Sequence, residues 1–208
     1  MNSNLAIKQL NHLKKLISQN SEQPRLAAEG WDKDWKTLIS IILSAQTRDT
    51  KTIAVCETLF KKYNTPKKLG SAKLKDVEKT IHSINYYKTK AKHINETAKI
   101  ISEKGLSHKF EELLELPGVG RKTANVFLAE TQNAPNIGVD THVARLSVKL
   151  NWTNKKFSDK YGIEKDLEKL FPKKYWSSIN YILVTFGQTI GRSKIKEDKL
   201  LKQIRAIK

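Results

Sequence analysis

Apolar residues recur along most of this chain at intervals of three and four, the spacing of helices that bury one face. Residues 5–19 carry Ile7, Leu10, Leu13, Leu16 and Ile17 on one side. From Asp34, the expected cap, the sequence runs through Trp35 into Leu38-Ile39-Ser40-Ile41-Ile42-Leu43, apolar all round, which predicts a fully buried helix ending at Ser44. Thr47 or Asp49 then opens a helix to about residue 63. Short helices are predicted near 65–70 and 74–83, and a longer one over 87–104 with Ala91, Ile94, Ala98 and Ile101 in register. Asp140 or Thr141 caps a helix reaching Leu150, and further helices cover 159–170 and 175–189. The end, 192–208, sets Ile195, Leu200, Leu201, Ile204 and Ile207 on one face, with seven basic and two acidic residues in the segment. The polar stretch 19–30, which holds Pro24, and the segment around Pro135 read as connections. No alternating run is long enough for a sheet, so the pattern predicts an all-α fold.

One interruption of the helical pattern carries chemistry. Leu113, Leu114 and Leu116 close a short helix, and Pro117, without an N–H to donate, stops it. Gly118 and Gly120 are free to take positive φ and let a phosphate approach the main chain, with Val119 between them. From Arg121 the pattern is helical again, with Ala124, Val126, Phe127 and Leu128 apolar. The N–H groups and dipole at such a helix start favour an anion. No apolar strand precedes the turn, and its Gly-x-Gly is too short for a dinucleotide fingerprint, so these residues read as a helix–hairpin–helix. Lys122 lies in the first turn of the second helix, and Asp140 begins the next one. A phosphate grip beside an amine and a carboxylate points to an enzyme that holds a DNA backbone and attacks a sugar. On these residues alone, a non-catalytic DNA-binding hairpin remains open, with Lys122 a surface lysine and Asp140 an N-cap.

Composition narrows the partners. The chain of 208 residues can hold one large or two small domains. Its 39 Lys+Arg against 21 Asp+Glu give a net charge of +18, a field that favours polyanions, nucleic acid foremost. Lysine dominates the basic residues, which suits phosphate contact more than base reading. The single cysteine, Cys56, excludes an internal disulfide and any multi-cysteine metal site, and its apolar helical neighbours predict a buried thiol. The five histidines show no metal-ligand spacing. Without a signal peptide or an apolar run near membrane-spanning length, the chain reads as soluble and intracellular, with no membrane partner.

Three separated segments coincide with one family. Leu43-Ser44-Ala45-Gln46-Thr47-Arg48-Asp49, Leu116-Pro117-Gly118-Val119-Gly120-Arg121-Lys122-Thr123-Ala124-Asn125 and Val139-Asp140-Thr141-His142-Val143 resemble endonuclease III, the bifunctional branch of the helix–hairpin–helix DNA glycosylases, over about residues 5–190. The resemblance implies two helical domains: a six-helix barrel over 25–135 that holds the hairpin, and a second domain built from 1–24 and 136–208, with the active site in the cleft between them. It implies that the target nucleotide is flipped out of the duplex. Lys122 then attacks C1′ and forms a Schiff base, β-elimination nicks the strand, and Asp140 stabilises positive charge on the sugar and assists proton transfer. The implied substrate is duplex DNA carrying oxidised or damaged pyrimidines or abasic sites, bound by a monomer in the cytoplasm and nucleoid, or in the nucleus of a eukaryote. Alternatives are a relative acting on a mismatched thymine or uracil or an oxidised purine, and a non-catalytic DNA-binding protein.

Around this core, the family counterpart of Gln46 fills the space left by the flipped nucleotide; a helix-end hydrogen bond is the other reading. Asp49 lines the base pocket or caps its helix. Gly118, Val119, Gly120 and Arg121 belong to the backbone grip, and Thr141, His142 and Arg145 could touch the backbone near Asp140. Two departures stand out. Gly191 occupies the position of the first of four cysteines that hold a four-iron four-sulfur cluster in most members, so no cofactor is expected, and the apolar side of 195–207 is expected to replace the cluster structurally. Asn85-Tyr86 stands where a Gly-Leu pair is common; Tyr86 either wedges into the helix in place of the leucine or packs on the following helix.

Overall fold

Helix formation follows the apolar spacing throughout the computed structural model, which describes residues 2–21 and 24–207. Expectations touching residues 1, 22, 23 and 208, part of the 19–30 connection among them, lie outside it. Twelve α-helices occur among the described residues, with no strand: α1 (Ser3–Ser18), α2 (Asp34–Ser44), α3 (Asp49–Lys62), α4 (Pro66–Gly70), α5 (Leu74–Thr80), α6 (Tyr87–Lys104), α7 (Phe110–Leu114), α8 (Arg121–Gln132), α9 (Thr141–Lys149), α10 (Lys160–Leu170), α11 (Trp176–Gln188) and α12 (Lys194–Arg205). The chain divides into two units, Arg25–Gln132 and the residues on either side of it.

In Arg25–Gln132 the centre is α2. Of residues 35–43 only Lys36 escapes burial, and the helix packs on α3, α6 and α8. Covering all sides of its apolar run gains about 1.5–3 kcal/mol for each large apolar side chain. Asp34 is not the cap of α2. Lys33 holds that position without a side-chain hydrogen bond, and Asp34 sits in the first turn, where a carboxylate still suits the helix dipole. Its Oδ2 lies 2.8 Å from Nε2 of His108, whose ring stacks on Phe127 of α8. The carboxylate thus ties the segment before α7 to α2. Cys56 is fully buried in α3, and burial raises its thiol pKa.

In the other unit, α11 buries Ile179, Ile182, Leu183, Val184 and Phe186 and packs on α1 and α9. Gln9 of α1 is a buried polar group with its amide satisfied: Trp152 Nε1 donates to it at 2.7 Å, and it donates to the Ile204 carbonyl at 3.4 Å. The inner face of α12 differs from the one expected. Ile195 is 84% exposed and Leu200 and Ile207 are only partly covered, while Glu197, Leu201 and Ile204 point inward. The register is set by charge as well as by apolar spacing. Glu197, 1% exposed, pairs with Arg145, and Lys149 reaches it at 2.8 Å while also bonding Asp198 at 2.7 Å. Glu197→Ala removes the buried carboxylate that Arg145 and Lys149 share, leaving Lys149 only Asp198 and Arg145 without its acid partner. We expect a loss of about 3 kcal/mol, a fall in Tm of roughly 6–12 °C by calorimetry.

Candidate active site and nucleic-acid interface

The hairpin that presents Lys122 is seated on α6. Val119 N–H donates to the Leu116 carbonyl at 3.0 Å, closing the turn, and Thr97 Oγ1 donates to the Pro117 carbonyl at 2.9 Å. Gly118 has φ +78°, and a Cβ there would press on the His93 ring, so both backbone and space demand glycine. Gly120 behaves otherwise. Its φ is not positive, contrary to expectation, and an added Cβ would meet nothing within 4 Å. The turn needs one left-handed residue only, and the second glycine simply leaves the backbone uncovered. Residues 123–128 are all buried, so the middle of α8 is enclosed, and the helix is anchored on α2 and α7. Lys122 stands at its open end, partly buried, beside Arg121, whose guanidinium lies 4.9 Å over the Phe110 ring.

Two loops of the same unit carry the candidate wedge residues. Gln46 follows α2 and Tyr86 precedes α6, and both are left-handed, with φ of 54° and 58°. Each costs a non-glycine residue about 1–2 kcal/mol, which the surroundings must over-determine. Those surroundings are specific. The Lys90 amine, carried by α6 but buried, donates to the carbonyls of Leu43 (2.8 Å) and Ala45 and reaches Thr47 Oγ1 at 3.4 Å. Burial pulls its pKa down to about 8, while the oxygens it caps favour the ammonium form. Lys90 therefore completes the end of α2, the task considered for Gln46, whose side chain is exposed. Asn85 Nδ2 donates to the Gln46 carbonyl. Tyr86 is 67% exposed, not folded down on α6. Asp49 is the first residue of α3, with Arg48 at the cap position, and is partly buried.

Asp140 belongs to the other unit. Ile137 and Val139 anchor the approach by burial, and Asn180 of α11 donates to the Gly138 carbonyl at 2.6 Å. The Asp140 carboxylate accepts from Val143 N–H at 2.8 Å, making it the N-cap of α9. Lys160, at the start of α10, carries a buried amine without a hydrogen-bond partner among the described residues, 4.6 Å from the Phe157 ring centroid. Burial lowers its pKa and the charge of Asp140 opposes the shift. Thr141 is exposed. His142 packs so closely on α11 that a Cβ at Gly187 would overlap its ring, and Arg145 Nη2 lies 3.3 Å from its Nδ1. Arg145 thus braces His142 and Glu197 within this unit. Lys90, Asn85 and Lys160 are the residues that sequence reasoning did not assign.

An iron–sulfur cluster does not fit these residues. The one cysteine is enclosed in α3, in the Arg25–Gln132 unit, whereas Gly191 occupies the turn Ile190–Arg192 before α12. No group of three His, Cys, Asp or Glu able to hold a metal occurs among the described residues. No helix among them is long and apolar enough to cross a membrane.

A hairpin-borne lysine in an all-helical chain defines a class, and residues 39–173 match the family of HhH-GPD superfamily base excision DNA repair proteins. The chain is 40% identical over 159 residues to endonuclease III of Thermotoga maritima, covering 75% of this chain and 74% of that protein. It is 38% identical over 157 residues to endonuclease III of Bacillus subtilis, covering 74% and 71%. The solved structure of a trapped endonuclease III–DNA covalent intermediate, an estranged-adenine complex, matches with a TM-score of 0.82 at 31% identity, over 93% of this chain and 90% of that one. The chain belongs to the endonuclease III family and is a base excision repair DNA glycosylase with AP lyase activity.

Proposed function

We propose that this enzyme removes oxidised or ring-damaged pyrimidines from duplex DNA and nicks the resulting abasic site. The observation that supports it most is the position of Lys122, one residue into a helix that opens directly from the Gly118–Gly120 turn and is buried over the next six residues. Gly118, Val119, Gly120 and Arg121 hold the backbone of the damaged strand, in the manner of helix N-termini that bind phosphate. The target nucleotide leaves the stack, and Gln46 and Tyr86 fill the gap. Lys122 Nζ, unprotonated, bonds to C1′ as the C1′–N bond breaks, and the base departs with the electron pair and takes up a proton. The sugar ring opens to a Schiff base. Loss of a C2′ proton then expels the 3′ phosphate, and water releases the lysine.

Asp140 supplies negative charge to the developing oxocarbenium and assists proton transfer. Thr141, exposed beside it, meets the backbone, while His142 and Arg145 hold the start of α9 in place. Asp49 borders the base pocket. In this reading Arg25–Gln132 is the domain that grips the DNA, and the rest forms a second domain that works without a cluster. The enzyme acts as a monomer on DNA of the nucleoid or nucleus.

A panel of duplexes, each with one lesion, tests the substrate. Base release from 5,6-dihydroxylated thymine is expected to exceed that from oxidised guanine or a G·T mismatch by about 10²-fold or more, because a pocket that hydrogen-bonds its substrate can reject an analogue lacking the bonding group by up to about 10⁴–10⁵-fold. Faster release of the purine or the mismatched thymine would overturn the pyrimidine assignment.

A further inference from the structure

We infer that Asn85 is a positioning residue that joins the Gln46 and Tyr86 loops into one wedge, so that both side chains enter the duplex together. The inference rests on reading this surface as the one that opens DNA. The loops are 39 residues apart in sequence, and the Asn85 side chain bridges them by donating to the Gln46 carbonyl. A glycine at this position would have no side chain to make that bond. A second tie crosses the same gap. Lys90 holds the Leu43 and Ala45 carbonyls with its amine, while its own N–H donates to the Tyr86 carbonyl at 3.0 Å.

The two residues that would insert are the two left-handed ones, and both side chains are exposed. Their tips therefore gain little from packing, and their direction is set by the backbone. A hydrogen bond that fixes one loop backbone against the other fixes both directions at once. Without it, ordering one loop on DNA no longer orders the other, and binding must order each separately.

A duplex with a tetrahydrofuran abasic analogue opposite 2-aminopurine tests this, because the analogue cannot form a Schiff base and reports insertion by fluorescence. Asn85→Ala, Gln46→Ala and the double variant complete a cycle, with circular dichroism melting as the control for folding. Asn85→Ala is expected to weaken binding about 3- to 10-fold, the range of one net hydrogen bond, and to reduce the fluorescence rise with Tm nearly unchanged. In the Gln46→Ala background its effect should largely vanish. Unchanged affinity and fluorescence in Asn85→Ala, or an equal loss in both backgrounds, would overturn the inference. Asn85→Gly, which likewise lacks the amide, provides a second variant with the same expectation. Failure of the wild type to trap on a natural abasic site would refute the lysine chemistry and leave this binding cycle intact.

Discussion

Lys122→Ala is expected to bind the tetrahydrofuran duplex nearly as well as the wild type while strand cleavage at an abasic site falls by about 10³-fold or more, as when a covalent nucleophile is removed. Each factor of ten corresponds to about 1.36 kcal/mol of barrier, so the loss is on the order of 4 kcal/mol. Folding should not change. Alanine is the best helix former, and Lys122 lies outside the buried run 123–128, so stability should stay within about 0.5 kcal/mol of the wild type. Cleavage and melting are read on the same preparation. Nicking within tenfold of the wild type would mean that another amine does the chemistry.

Asp140→Asn separates charge from structure. Asparagine caps a helix as well as aspartate, so it can still accept from Val143 N–H and leave α9 in place. It cannot stabilise a cationic sugar. Base release is expected to fall about 10²- to 10³-fold, the scale of one preorganised electrostatic group, with Tm unchanged. Asp140→Ala should lose turnover similarly and also lose the cap, costing about 1 kcal/mol. If the asparagine variant turns over like the wild type while the alanine variant melts lower, Asp140 is a cap and nothing more.

What could be read from the sequence was what is written locally. The helices follow from apolar spacing, the hairpin from Pro117 and Gly118, and the cap of α9 from Asp140 itself. What escaped depends on partners far along the chain. Lys90 lies on the buried stripe of α6 with Ile94, Thr97 and Ile101. A lysine on that stripe was the available signal, but its acceptors near residue 45 belong to another helix. Glu197 stands in the same relation to Leu201 and Ile204, four and seven residues on, and its cations come from α9. An apolar count therefore chose Ile195, which solvent covers. Asp34 looked like a cap because local sequence proposes capping residues without knowing that His108 lies within reach. Asn85 was legible as a departure from the family pattern, yet the carbonyl it meets could not be named.

The most direct test of lysine chemistry is borohydride reduction of the wild-type enzyme on duplex DNA with one abasic site, followed by digestion and mass spectrometry of the protein–DNA adduct. The sugar remnant is expected on the peptide that contains Lys122, and on no other. An adduct at a different lysine, or no adduct under conditions where the strand is nicked, would contradict a Schiff base at Lys122.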